Sequence, residues 1–344
     1  MKKKVLITGG AGFIGHHIIN HFLNRTNWEI TSLDRLDYSG NLNRISDMMR
    51  VFSKEKKKRL RVVHHDLRAE INQMIGADLG DFNYILHLAA SSHVDRSIED
   101  PMSFVLDNVV ATCNILNFSK NLKKLENFIY FSTDEVFGPA PKGVNYKERD
   151  RYNSTNPYSA TKAGGEELAV AFENTYKMPI YITHTMNVFG ERQHPEKFIP
   201  MTIKNVRDGK PVIIHSDRSK KIPGSRHYIH ANDVADGCLF LLKNNKKIKK
   251  LKKDFGGAKC PKFNLVGPVE LDNLDLAQKI AKSQKRKLKY KMVDFHSSRP
   301  GHDLRYALNG DLMKILGWKP KINLDRRISQ VVNWSLNNNR WLKY

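Results

Sequence analysis

Lys4-Val5-Leu6-Ile7-Thr8-Gly9-Gly10-Ala11-Gly12-Phe13-Ile14-Gly15 joins a short apolar run, a glycine turn and a helix start within 12 residues. Glycines in this order allow a tight turn, close approach of backbone to a pyrophosphate, and close packing of helix on strand. The helix N-terminus behind them offers unpaired N–H groups and a positive dipole end to phosphates. Gly9, Gly12, Phe13, Ile14 and Gly15 are therefore expected to cradle a dinucleotide. Asp34 ends a second apolar run, 19 positions after Gly15. A carboxylate there can accept both ribose hydroxyls of the adenosine half and would repel a 2′-phosphate, so NAD is expected rather than NADP. Arg35 is the neighbour that argues the other way. Asp66-Leu67, ending a third run, would sit near the adenine.

Outward from this stretch, apolar runs alternate with helix-like segments. Val5–Ile7, Glu29–Leu33, Leu60–His64, Tyr84–Leu88, Phe128–Ser132 and Ile180–Thr183 read as strands. Gly12–Asn24, Phe104–Lys120 and Tyr158–Lys177 read as helices between them. The fold class expected is α/β: a Rossmann-type doubly wound parallel sheet with a smaller C-terminal α/β substrate-binding lobe. Residues 1–186 would form the NAD-binding domain. Residues 187–344, where proline and glycine recur, would form mainly the substrate lobe, with some segments returning to the first domain.

Composition excludes several classes. At 344 residues with 40% hydrophobic and 27% charged residues, the chain is globular in character. Its three cysteines, Cys113, Cys238 and Cys260, are far apart and suit a reducing compartment rather than a disulfide framework. No apolar run reaches the roughly 18 residues of a membrane span. The start, Lys2-Lys3-Lys4, resembles a secretory signal, but glycines break the apolar stretch at once. A cytoplasmic protein is expected. The net charge of +23 lies partly in Lys54–Arg59 and Lys243–Lys253. Neither stretch has the interleaved aromatics of a nucleic-acid platform, so solvated loops are the expectation and no nucleic-acid partner is. His16-His17, His64-His65 and His93 lack the helical pairing with a carboxylate that a zinc site needs, so no metal is expected.

Tyr158-Ser159-Ala160-Thr161-Lys162 places a phenol and an ammonium on one helix face. The ammonium and a positive nicotinamide would favour phenolate, giving a base that takes a hydroxyl proton as hydride leaves the same carbon. Ser132-Thr133 closes the preceding strand.

With these residues in view, the chain resembles the extended short-chain dehydrogenase/reductase family, and within it the nucleoside-diphosphate-glucose 4,6-dehydratases. The resemblance runs nearly the whole length. It rests on Leu33-Asp34-Arg35-Leu36-Asp37-Tyr38-Ser39-Gly40-Asn41, on His87–Ile98, on Phe131-Ser132-Thr133-Asp134-Glu135-Val136-Phe137-Gly138, on Arg192–Pro200, and on Arg299–Ala307. Thr133-Asp134-Glu135 is the most specific of these motifs. Epimerases and decarboxylases of the same superfamily generally lack the paired carboxylates. The resemblance implies dehydration of a dTDP-glucose or UDP-glucose type substrate to a 4-keto-6-deoxy sugar nucleotide, with Glu135 as base at C5 and Asp134 as acid at the C6 hydroxyl. It further implies that Thr133 bonds the C4 oxygen beside Tyr158, and that Ala89, Ala90, Asn108 and Ser132 line the NAD site with Tyr158 and Lys162. Asn187, Lys197, Arg226 and Arg299 would meet the diphosphate, and His93 the sugar. A homodimer is implied through the helices at Phe104–Lys120 and Tyr158–Lys177.

The chain departs from the family pattern at several places. His184 replaces an Arg, Val188 an Asn and Glu191 a Pro; Ser91 stands where a Glu is usual, and Asn232 where an acidic residue is frequent. Two other readings stay open: a C4 epimerase or decarboxylase acting on a UDP-sugar, and a non-catalytic NAD-binding regulator.

Overall fold

The computed structural model describes residues 2–250, 260–295 and 304–343. Its central sheet has seven parallel strands: β1 (Lys4–Thr8), β2 (Glu29–Asp34), β3 (Leu60–His64), β4 (Tyr84–His87), β5 (Asn127–Thr133), β6 (Ile180–Thr185) and, much later in sequence, Lys262–Leu265. The spatial order is β3-β2-β1-β4-β5-β6 and then Lys262–Leu265. Strand order reverses between β1 and β4, which is where this kind of sheet binds ligands at its carboxyl edge.

The sequence pattern explains the layers. Side chains alternate along a strand, so Val5 and Ile7 enter one core while Leu6 enters the other. The helix Phe13–Arg25 lays Ile18, Ile19, Phe22 and Leu23 on the first core, with the spacing of a single helix face. The helix Ala231–Lys243 packs into the same core, although it comes from the second half of the chain. Beyond Asn187 the structure has three two-stranded pairs: Val188–Phe189 with Ile229–His230, Val212–Ser216 with Tyr290–Asp294, and Ser225–His227 with Glu270–Asp272. These border a further core around Ile203, Ile280, Ile328 and Val332.

Two elements differ from the sequence reading. The seventh strand, Lys262–Leu265, is too short for its pattern to announce it; it pairs with Ile182–Thr185. The expected single helix Phe104–Lys120 begins at Pro101 and is interrupted by a π turn, Leu106–Val110, before continuing as Ala111–Ser119. Asp107 and Asn108 lie in that turn and are buried. Such bulges are frequent at functional sites.

Behind β6 lies a buried ionic group. Glu166 is fully buried between His184 Nε2 at 3.2 Å and Lys262 Nζ at 2.8 Å, and it also accepts from the Tyr152 hydroxyl. Burial alone would raise its carboxyl, but His184 and Lys262 bring it down to about 2. His184 Nδ1 meets Asn264 Oδ1 at 3.0 Å, so the group ties β6 to its neighbouring strand. Removing the carboxylate leaves the half-buried Lys262 ammonium without its counterion. Glu166→Ala is therefore expected to lower unfolding free energy by about 3 kcal/mol, measured by urea denaturation at pH 7. In the wild type this contribution is present above the ordinary carboxylate range and is lost as pH falls towards 2.

Candidate active site

One cavity of about 530 Å³ runs along the carboxyl edge of the sheet, and nearly every residue singled out above lines it. At one end is the glycine turn. Gly9 has φ +70°, and a Cβ there would stand 2.8 Å from the Ala89 nitrogen. A Cβ on Gly15 would stand 2.2 Å from the Gly9 carbonyl oxygen. No side chain caps the helix at Gly12, so its first-turn N–H groups keep their capacity for an anion. Asp34 is fixed at the edge of this cradle: Oδ2 accepts from Ala11 N at 3.0 Å and Oδ1 from Leu36 N at 2.9 Å. Asp66, Leu67, Ala89, Ala90 and Ser132 also line the cavity. The cradle and its carboxylate fit a dinucleotide's pyrophosphate and adenosine ribose.

Asn108 is not among the residues that line the cavity; its amide donates to Ser91 O at 3.1 Å and Thr161 Oγ1 at 3.0 Å, and its Oδ1 accepts from Ser91 N at 2.8 Å. It holds the Ala89–Ser92 wall in place from behind.

At the middle of the cavity, β5 ends in Thr133 and passes into a one-turn 3-10 helix, Asp134–Phe137. Val136 and Phe137 anchor that turn in the core, which fixes Asp134 and Glu135 at the cavity wall. Burial pushes Asp134 up to about 6, against the opposing charge of Arg226 and a hydrogen bond from Thr133 Oγ1 at 3.0 Å. Burial and the Asp134 charge push Glu135 up to about 7. Two carboxyls held this close to neutrality can serve as one acid and one base. The higher of the two values belongs to Glu135, although the resemblance gives the acid role to Asp134.

Tyr158 is hydrogen-bonded to Thr133, and its phenol is not lowered. Burial and then the Glu135 charge push it well above its ordinary value. The sequence reading placed Lys162 beside the phenol. In the structure its Nζ donates to Phe131 O at 2.5 Å and lies 4.4 Å over the Tyr130 ring. Sharing a helix face did not decide where the long lysine side chain ended: a buried strand carbonyl took it. Burial brings Lys162 down to about 7.

At the far end, His93, Asn187, Lys197 and Arg226 line the cavity. Arg226 donates to the carbonyls of Ser225 at 2.7 Å and Leu304 at 2.6 Å and lies over Tyr306. His93 stands 3.6 Å from Glu196 and 3.8 Å from Asp95. Arg299 lies outside the described residues.

The sequence reading missed Asn156. Its side chain caps the helix of Tyr158, accepting from Ser159 N at 2.8 Å, and its amide donates to Glu135 Oε2 at 3.2 Å. Asn before Pro157 is a helix-start signal. Only the fold reveals that the same residue also reaches Glu135.

A protein-family model described as GDP-mannose 4,6 dehydratase matches residues 6–331. The chain belongs to this family. It is 32% identical to a probable dTDP-glucose 4,6-dehydratase of Sinorhizobium fredii, over 98% of this chain and 94% of that one. The dTDP-glucose 4,6-dehydratase DesIV of Streptomyces venezuelae, solved with NAD and dTDP bound, superposes with a TM-score of 0.84 at 30% identity, covering 99% of both chains. A UDP-glucuronic acid 4-epimerase of Bacillus cereus superposes with a TM-score of 0.83 at 23% identity, over 97% of this chain and 99% of that one. That last likeness concerns the fold alone, and the fold is shared by dehydratases and epimerases.

Within this dehydratase family, two departures of the chain meet behind the cradle. Glu191 Oε2 lies 3.2 Å from His230 Nε2, and His17 bridges Glu191 O at 3.0 Å to Asn232 Oδ1 at 3.0 Å. Another, His184, belongs to the buried Glu166 group and is not among the residues that line the cavity.

Asn156→Asp keeps a good helix cap but replaces a donor to Glu135 with a like charge. The expected outcome is a Glu135 carboxyl titrating about one unit higher, followed by ¹³C NMR of labelled glutamate, with the melting temperature nearly unchanged.

Proposed function

We propose that the chain catalyses the NAD-dependent 4,6-dehydration of a nucleoside-diphosphate hexose of dTDP-glucose or UDP-glucose type. The observation that carries this reading is the pair Asp134 and Glu135, both raised towards neutrality, beside Thr133 and Tyr158 in the cavity that also holds the glycine cradle. Dehydratase relatives over nearly the full length support it.

NAD, held by the cradle of Gly9, Gly12 and Gly15 beside Asp34, would supply the hydride acceptor for C4 and the hydride donor for C6 within one turnover. The chain's residues do the rest. Thr133 and Tyr158 hold the C4 hydroxyl, and Tyr158 takes its proton as the C4 ketone forms. The resting phenol is neutral, so a positive charge brought beside it, such as that of an oxidised nicotinamide, would be needed to make it a base. The new ketone acidifies C5. Glu135 then removes the C5 proton while Asp134 protonates the C6 oxygen, which leaves as water. His93 lies by the sugar, and Asn187, Lys197, Arg226 and Arg299 serve the diphosphate. Ala89, Ala90 and Ser132 line the nicotinamide side.

Mass spectrometry of the purified protein with dTDP-, UDP-, GDP- and CDP-hexoses, without added reductant, is the direct test. Loss of one water from one substrate is expected. An unchanged mass with altered configuration would mean epimerisation, and loss of carbon dioxide from a uronic acid decarboxylation. Tyr158→Phe should suppress C4 oxidation with NAD still bound. Glu135→Gln should allow C4 oxidation but abolish solvent-deuterium uptake at C5. In the wild type that uptake should rise with pH through about 7, because the base must be ionised.

The reading includes a cytoplasmic homodimer. Ile98, Met102, Val105 and Leu106 leave an exposed apolar strip on the segments preceding and forming the π turn, beside the helix Pro157–Tyr176. Such a strip is suited to a second copy. Light scattering should give twice the chain mass, and Met102→Glu should give the single-chain mass.

A further inference from the structure

Two arginines converge on a carboxylate that none of the steps above uses. Asp107, in the π turn Leu106–Val110, is buried. Its Oδ1 accepts from Arg35 Nη1 at 2.5 Å and from Arg68 Nε at 2.6 Å. Its Oδ2 accepts from Arg35 Nη2 at 2.8 Å and from Ser91 Oγ at 2.6 Å. Burial would raise this carboxyl, but Arg35, Arg68 and Ser91 hold it below its usual range. Arg35 also gives Nε and Nη2 to Asp37 Oδ2, at 3.0 and 2.6 Å. Every nitrogen of that guanidinium is thus taken, and its charge is matched twice.

Arg35 directly follows Asp34 at the adenosine end of the cavity. An arginine near this position can accommodate a 2′-phosphate in dinucleotide-binding folds. In this chain the fork that would clasp a phosphate in two parallel bonds is already closed on a carboxylate. Asp66 adds a further negative charge 4.0 Å from Arg35 Nη1. A 2′-phosphate would therefore meet Asp34, Asp37, Asp66 and Asp107, with Arg35 unable to turn to it without breaking a buried pair. The wall is stiffened from the same turn, since Asn108 holds both the N–H and the carbonyl of Ser91.

We propose that Asp107 sets the choice of cofactor by locking Arg35 away from the ribose 2′ position, so that an arginine beside Asp34 does not admit NADP. This rests on the reading that the cofactor is NAD. The test incubates the full chain with equal NAD and NADP, then releases the bound nucleotide by denaturation and quantifies it. The wild type should hold NAD almost alone. Asp107→Asn should raise the NADP-to-NAD ratio about tenfold, because the freed fork can reach a phosphate. Adding Arg35→Ala should abolish that rise, as a merely structural Asp107 would not require. Unchanged selectivity in Asp107→Asn, or a rise that survives in the double variant, overturns the proposal. If Asp107→Asn does not fold, Arg35→Ala alone decides: an unchanged ratio supports the lock, and a fall in bound NADP shows that Arg35 already serves a phosphate. A wild type that holds no nucleotide, or prefers NADP, defeats the NAD reading itself and this proposal with it.

Discussion

The carboxyls of Asp134 and Glu135 stand at the end of a strand whose every residue is buried, on a turn pinned by Val136 and Phe137 in the core. Burying two adjacent acids costs free energy unless they are neutral, paired or hydrogen-bonded. The structure uses all three means sparingly: Thr133 donates to Asp134, Asn156 donates to Glu135, and the Arg226 charge reaches both. The acids thus stay near neutrality instead of being fully stabilised as anions. Stronger pairing, of the kind Asp107 has with two arginines, would hold them ionised and leave no proton to give. The chemistry at the end of β5 depends on this incomplete compensation.

The cavity is divided electrostatically along its length. At the adenosine end charges are matched one against another, and Arg35, Asp37, Asp107 and Arg68 form a closed set. At the reacting end the groups are held close to their neutral forms: Tyr158 protonated, Asp134 and Glu135 raised by burial, and Lys162 brought down to about 7 by burial. The first arrangement recognises and rejects. The second responds to whatever charge is brought into it, which is what a proton-transfer site needs and a recognition site must avoid.

Most of the sheet was legible because its inner strands are buried on both faces and read as short apolar runs between helical segments. The cradle was legible because only glycine tolerates the approach of Gly9 to Ala89 and of Gly15 to Gly9. What escaped depends on contacts between residues distant in sequence. Lys262–Leu265 becomes a strand only because β6 offers it an edge. The π turn keeps the apolar spacing of an ordinary helix, so nothing in the pattern marks the extra residue. Lys162 shared a face with Tyr158 on paper, yet Phe131 O lay within its reach and the phenol was already engaged by Thr133. Asn108 and Asn156 were visible as polar residues at helical positions, but their partners, 53 and 21 residues away, were not.

The departures from the family pattern follow one physical rule. Each polar replacement is found with a side-chain partner: His184 with Glu166 and Asn264, Glu191 with His230, Asn232 with His17, Ser91 with Asp107; Val188, which lines the cavity, is apolar and needs none. A buried polar group without a partner is costly, so substitutions here persist only when another side chain answers them. Such compensated changes can move a wall or a charge by small amounts, but they leave Thr133, Asp134, Glu135 and Tyr158 where β5 and the Pro157–Tyr176 helix put them. The replaced residues are not sealed off from the site, since His184 still lowers the Asp134 carboxyl. Cofactor choice is set at the other end, where Asp107 acts through Arg35, the residue that follows Asp34.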